Sequence, residues 1–405
     1  MKKSFSFCAG VLFLSAVCLR AQSMAQISGR VTDATSAAVP GAAVKATQTA
    51  TGQIRTVETG ADGSYVLASM PIGPYRIEIA KQGFSTFVQT GLELQVSTNP
   101  TVDAILKVGA VTEQVQVEAN VTQVETQSTS IGQVIDNKRV LEMPLNGRNP
   151  LELVVLAGMA NLPGNGAINN VRNYPTIVIS VAGGQGGNTA MYNLDGALHE
   201  DPYNNLNLPL PFPDALQEFK LETSALPPQY GFHSGGAVNA ITKSGTNQFH
   251  GDLFEFLRNG DMNARNFFAP RRDTLKRNQF GGVIGGPLIK DKVFFFGGYQ
   301  RTSQRSDPGA LTAFVPTQAM LTGDFTALAS GACQQNRPVT LSAAQGFVGN
   351  VLPAARLNSV ALNIAKTIPL STDPCGRVQY GYVDNQDEDL VALRGDWQVS
   401  DKHTV

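Results

Sequence analysis

The side chains that could do chemistry are few and poorly spaced for it. The four histidines, His199, His233, His250 and His403, show no metal-ligand spacing with cysteine or with one another. The run His199-Glu200-Asp201 lacks a second histidine four residues on, and its two carboxylates read as solvated loop residues. "GGVIGG" at Gly281–Gly286 and "GGQGG" at Gly183–Gly187 are Gly-rich, yet neither leads into Gly-Lys-Ser/Thr. "ITKSG" at Ile241–Gly245 has a lysine and a serine without a preceding phosphate loop. No serine stands in a Gly-x-Ser-x-Gly elbow. The expectation is no enzyme, no cofactor and no metal. The mature-chain cysteines, Cys333 and Cys375, are a disulfide candidate with two free thiols as the alternative.

The elements around these residues belong to a β-rich chain. Of 405 residues, 40 are glycine and only 16% are charged, below the ~25% of ordinary soluble domains. With 31 basic and 32 acidic residues, no nucleic-acid partner is indicated. Lys2-Lys3, the apolar run Ser4–Leu19 and the small-x-small Ser23-Met24-Ala25 read as a signal peptide over residues 1–25, cut between Ala25 and Gln26. No long apolar helical run follows it. Membrane insertion would therefore require a β-barrel.

Residues 26–107 hold short β-rich runs separated by Pro-Gly, Thr-Gly and Asp-Gly punctuation. Tyr75, Ile77 and Ile79 alternate with Arg76 and Glu78, giving one core face and one wet face of a β-sandwich. "GRVTD", "VPGAAV" and "TGADGSYVLASMPIGPYRIEIAKQGF" resemble the carboxypeptidase regulatory-like domain. That resemblance implies a transthyretin-like sandwich with a carbohydrate-binding-like fold and no catalytic residues. Residues 108–127 read as a linker or an edge strand. Its centre, Glu113, Gln114, Val115, Gln116, Val117, Glu118 and Ala119, is similar to the box by which outer-membrane receptors engage the energy-transducing protein TonB. Such a box works by strand addition, so only a loose side-chain pattern is needed.

Residues 128–247 mix helical and strand periods. Asn149 is a candidate N-cap with Pro150 at the first helical position, and Asp195-Gly196 is a candidate turn. "PLNGRNPLELV", "YNLDG" and "YGFHSGGAVNAITKSGTNQFHG" resemble the plug domain of TonB-dependent outer-membrane receptors of the Oar-like type.

From residue 248 onward, strand candidates are joined by connections that run long, short, long, short. "IKDK" and "VSDK" are the short turns, and 303–387 is the long loop. This is the rhythm of an outer-membrane barrel, with strands of ~10 residues. Val391, Leu393 and Trp397 fall on an outward, lipid-facing side, against Arg394, Asp396 and Gln398 inward. Phe294, Phe295 and Phe296 break that alternation, which reads as contact with the plug.

The fold class is thus mainly β: a transthyretin-like sandwich, an α/β plug and the first strands of an incomplete transmembrane barrel. Five strand candidates do not close a barrel, so a C-terminally incomplete fragment is expected. The resemblance implies a receptor in the outer membrane of a Gram-negative bacterium, its sandwich periplasmic and its long loops extracellular. Its partners would be the TonB complex, outer-membrane lipid and an extracellular ligand: siderophore, oligosaccharide or peptide. The alternative is an outer-membrane adhesion or structural protein whose sandwich binds glycan or matrix.

Overall fold

A computed structural model describes residues 25–109, 114–118, 130–161, 167–169, 175–177, 179–184, 189–202, 206–227, 230, 233–265, 267, 272–306, 311–380, 384–400 and 403–405. The signal region 1–24, and Glu113 and Ala119 of the box candidate, lie outside them. Two compact units divide the chain. One comprises residues up to Phe254 with Gly281–Gln300 and Asp389–Val405; the other comprises Glu255–Phe280 and Arg301–Glu388.

The first unit opens with a two-sheet sandwich. Its strands are β1 (Ala25–Asp33), β2 (Ala43–Gln48), β3 (Ile54–Glu58), β4 (Ser64–Met70), β5 (Gly73–Ala80), β6 (Thr86–Leu94), β7 (Ala104–Leu106) and β8 (Gln114–Glu118). One sheet is ordered β3-β2-β5-β6-β8 and the other β4-β1-β7. Tyr75, Ile77 and Ile79 are buried with Ile27, Val44, Leu67 and Leu92, as the alternation along β5 requires. On the wet face Glu78 pairs with Arg76 at 2.7 Å and Lys45 at 3.2 Å. The Tyr65 hydroxyl donates to the Val102 carbonyl at 2.7 Å. That bond ties β4 to the segment leading into β7, on the far side of β1 in the same sheet.

A second sheet follows in the same unit. Its order is Ala197–Leu198, Ala190–Leu194, Gly236–Thr242, Leu216–Ser224 and β9 (Ile131–Asp136). Gly236–Thr242 runs parallel to Ala190–Leu194 and antiparallel to Leu216–Ser224. Every residue of Gly236–Thr242 is buried, as expected for a central strand covered on both faces. Asn149 caps a 3₁₀ helix, Pro150–Ala157, by accepting from the Leu151 N–H at 3.1 Å. The cap and the proline stand where the sequence places them, but the turn is tighter than α.

The long strands His250–Asn259, Lys276–Ile289, Val293–Ser306 and Asp384–Ser400, with His403–Thr404, form an open sheet in that order. They hold 10, 14, 14 and 17 residues. A tilted crossing of the hydrocarbon core needs only about 10, so the longer strands extend beyond that span. The turn at Lys290–Lys292 places Asp291 at φ 60°.

The second unit pairs Leu311–Phe314 with Arg377–Tyr380 and encloses several short helices between them. Cys333 and Cys375 are bonded, with Cα atoms 5.2 Å apart and a separation of 42 positions in sequence. A closed segment of that length loses about 4 kcal/mol of unfolded-state entropy. Replacing both cysteines with serine should therefore speed amide exchange in Leu311–Phe314 and Arg377–Tyr380, and leave the β1–β8 sandwich unchanged.

Candidate functional site

The first unit has a junction where the inward face of the long-stranded sheet meets the second sheet. Strand alternation supplies its chemistry. Leu393, Val391 and Trp397 are 83%, 66% and 50% exposed. Arg394, Asp396 and Gln398 point the other way and line a cavity of about 160 Å³. The Arg394 guanidinium takes Asp396 at 2.9–3.0 Å through Nε and Nη2. Its Nη1 donates to the Thr242 carbonyl at 2.9 Å and reaches Asp195 Oδ1 at 3.3 Å.

Asp195 is available because of its turn. Asp195 and Gly196 both have positive φ, 51° and 83°, the two-residue type I′ geometry that joins Ala190–Leu194 to Ala197–Leu198. Its carboxylate also accepts the Thr242 N–H at 3.0 Å and the Thr242 hydroxyl at 2.8 Å. One arginine on a long strand thus grips the end of the central strand and the neighbouring turn.

Aromatic packing backs the polar grip. Phe212, Ala215, Val283 and Phe296 form a buried cluster. Phe294 and Phe296 are both buried, whereas Phe295 lies on the other face, tilted against Phe249 at 6.3 Å. The three phenylalanines therefore keep the strand alternation; apolar contact replaces the polar lining at this point. A Cβ on Gly298 would come within 2.8 Å of the Phe212 ring, so that close approach requires glycine. Beside the cluster Arg148 pairs with Asp214 and stacks over Phe254, 4.2 Å from the ring centroid. Burial lowers the Arg148 pKa, against the pull of Asp214. A second cavity of about 430 Å³ lies against Phe212, Phe296, His199 and Arg394.

The sandwich also contacts the second sheet. Glu218 accepts the Val96 N–H, Lys220 donates to the Ser97 carbonyl at 2.8 Å, and the Ser97 and Tyr230 hydroxyls are 3.2 Å apart. Asn247 donates its N–H to the Ala50 carbonyl at 3.0 Å, and Gln53 donates to Thr404 at 2.7 Å. Burial pushes the Glu218 carboxyl up to about 7, with Glu93 and Asp136 adding to the rise and Val96 and Lys220 opposing it.

One reading of the sequence fails. Glu200 and Asp201 are not solvated: both are buried in a two-residue strand paired with Leu206–Asn207. Glu200 accepts the Tyr192 N–H at 2.5 Å and pairs with His233 at 3.3 Å, which accounts for its burial. His199 contacts the Pro209 carbonyl at 2.9 Å instead of joining them in a ligand set. Among the described residues no three His, Cys, Asp or Glu cluster to hold a metal. Sequence reasoning also passed over Arg148, Asp214, Glu218 and Lys220. Glu218 and Lys220 lie in the mixed run "LQEFKLETS", whose sequence looks half-solvated although the strand is almost wholly buried. The box candidate is seen over Gln114–Glu118, as β8 at the edge of the sandwich.

Comparison with known proteins fits this architecture. Residues 241–405 match the model of an outer membrane beta barrel domain, and residues 26–107 match that of a carboxypeptidase regulatory-like domain. A curated relative, the TonB-dependent transporter Oar of Myxococcus xanthus, is 26% identical over 258 residues. The chain resembles an Oar-like TonB-dependent receptor. The alignment takes in 60% of this chain but only 23% of that relative, so the chain spans about a quarter of its length. Neither matched domain is catalytic, and the barrel domain puts the chain in the outer membrane. Among solved structures, the siderophore receptor PirA of Acinetobacter baumannii aligns at 19% identity over 45% of this chain and 28% of its own, with a TM-score of 0.31. The hydroxyquinol 1,2-dioxygenase of Pseudomonas putida aligns at 11% over 22% of this chain and 58% of its own, with a TM-score of 0.19. At such scores both are partial overlaps without functional weight.

Proposed function

We propose that this chain is part of a TonB-dependent outer-membrane receptor that binds an extracellular ligand and passes it to the periplasm. The observation that carries the reading is the junction at Arg394. A strand within the matched barrel domain turns a charged side chain inward onto a separate sheet, and turns Val391, Leu393 and Trp397 outward. That sheet, within residues 128–247, is the plug. The wall holds it by a few polar groups and a small aromatic cluster, contacts that allow it to be rearranged. The outward apolar residues meet lipid. The short turns and the sandwich are periplasmic, and the long loop 303–387 is extracellular.

Residues 113–119 are the TonB box. Strand addition depends on backbone donors, which proline removes. Val115→Pro together with Val117→Pro should abolish capture of the full-length protein by immobilised TonB periplasmic domain, while leaving its amount in the outer membrane unchanged. Equal capture of wild type and variant would exclude this box.

A further inference from the structure

The box candidate is an ordered strand of the sandwich. β8 pairs parallel with β6, in register from Thr86 opposite Gln114 to Thr90 opposite Glu118. β6 pairs on its other side with β5, so β8 ends the sheet. The chain is led there by backbone bonds, Ser85 N–H to Lys107 carbonyl at 2.8 Å and Gly109 N–H to Gly83 carbonyl at 3.2 Å. Val115 is half-buried, Gln116 is exposed and Val117 is 40% exposed. The strand is therefore held by its main chain more than by side-chain burial.

An edge strand offers a row of main-chain donors and acceptors, a template for pairing with another chain. The side chains are neutral Gln and Val over Gln114–Val117, with Glu118 closing the strand, so pairing through the main chain is what this edge offers a partner. The partner they fit is an extended strand at the free sheet edge of another protein. We propose that the carboxypeptidase-like sandwich presents the box: β8 stays docked on β6 while its outer edge receives a strand of the periplasmic energy-transducing partner, so that the two sheets join through β8. This inference rests on the reading of residues 113–119 as the TonB box. Docking would raise affinity by fixing the strand before the partner arrives, since ordering a free segment opposes binding.

The test uses the full-length protein carrying Gln89→Cys and Val117→Cys, register partners on β6 and β8. A short cleavable thiol cross-linker then locks the strand in place. Cys333 and Cys375 are bonded to each other, so neither competes with the new pair for the cross-linker. The probe is the purified periplasmic domain of TonB. The expected result is efficient cross-linking, with the locked protein bound as tightly as the cleaved form or more tightly. Failure to cross-link would show that β8 is not docked and overturn the proposal. Locked protein that binds at least tenfold more weakly, with recovery on cleavage, would show that the box must leave the sandwich; the proposal falls and the receptor reading stands. No binding in either the cleaved or the wild-type form overturns both.

Discussion

Arg394→Ala should loosen the junction by roughly 2–4 kcal/mol, because Asp195 and Asp396 lose the cation they share. Asp396 is mostly enclosed and Asp195 is about one-third exposed, which keeps the expected loss below that of a fully buried pair. The Thr242 carbonyl also loses its donor. Amide exchange at the end of Gly236–Thr242 and at the Asp195 turn should rise by at least about 30-fold, the equivalent of 2 kcal/mol in local opening. Exchange in β1–β8 should not change. Arg394→Lys keeps the charge but not the planar fork that spans Asp396 and Thr242, so it should fall between the two. If Arg394→Ala left exchange at Thr242 unchanged, the arginine would not be gripping this sheet.

Glu218→Gln should remove a pH dependence and stabilise the sandwich contact in alkali. Burial holds the Glu218 proton up to about 7 in the folded chain, against 4.5 for the free side chain. Between those values the folded state binds more protons than the unfolded state, so stability falls as pH rises through that window. The whole effect is about 1–3 kcal/mol. Glutamine retains an oxygen for the Val96 N–H and has no charge to bury. The urea midpoint of the variant should therefore be flatter from pH 4.5 to 7.5 than that of the wild type, and higher at pH 8. A variant that tracks the wild type at every pH would show that Glu218 is ionised and solvated at this contact.

Much of this architecture is legible in the residues. Tyr75, Ile77 and Ile79 announce β5 because a half-buried strand must alternate. The Asp195-Gly196 turn is legible for the same kind of reason: few other pairs tolerate two positive φ values. β6 is harder to see. "TFVQTGLEL" carries Gly91 at φ 78° and a register shift against β5, and its Thr-Gly reads as punctuation. Val391, Leu393 and Trp397 separate from Arg394 and Asp396 by parity alone. What Arg394 touches is invisible, since Asp195 is 199 residues away. The failure at Glu200 has a similar cause. A carboxylate looks solvated until the Tyr192 N–H and His233 that satisfy it are brought near by the fold.

The central claim is energised transport, and uptake tests it most directly. Cells making the full-length protein would be given labelled ferric siderophores, oligosaccharides and peptides, with and without a working TonB system. The account predicts that one of these classes accumulates in the periplasm, and that its accumulation falls to background when TonB is removed. Accumulation that depends on this protein and persists at full rate without TonB would contradict it.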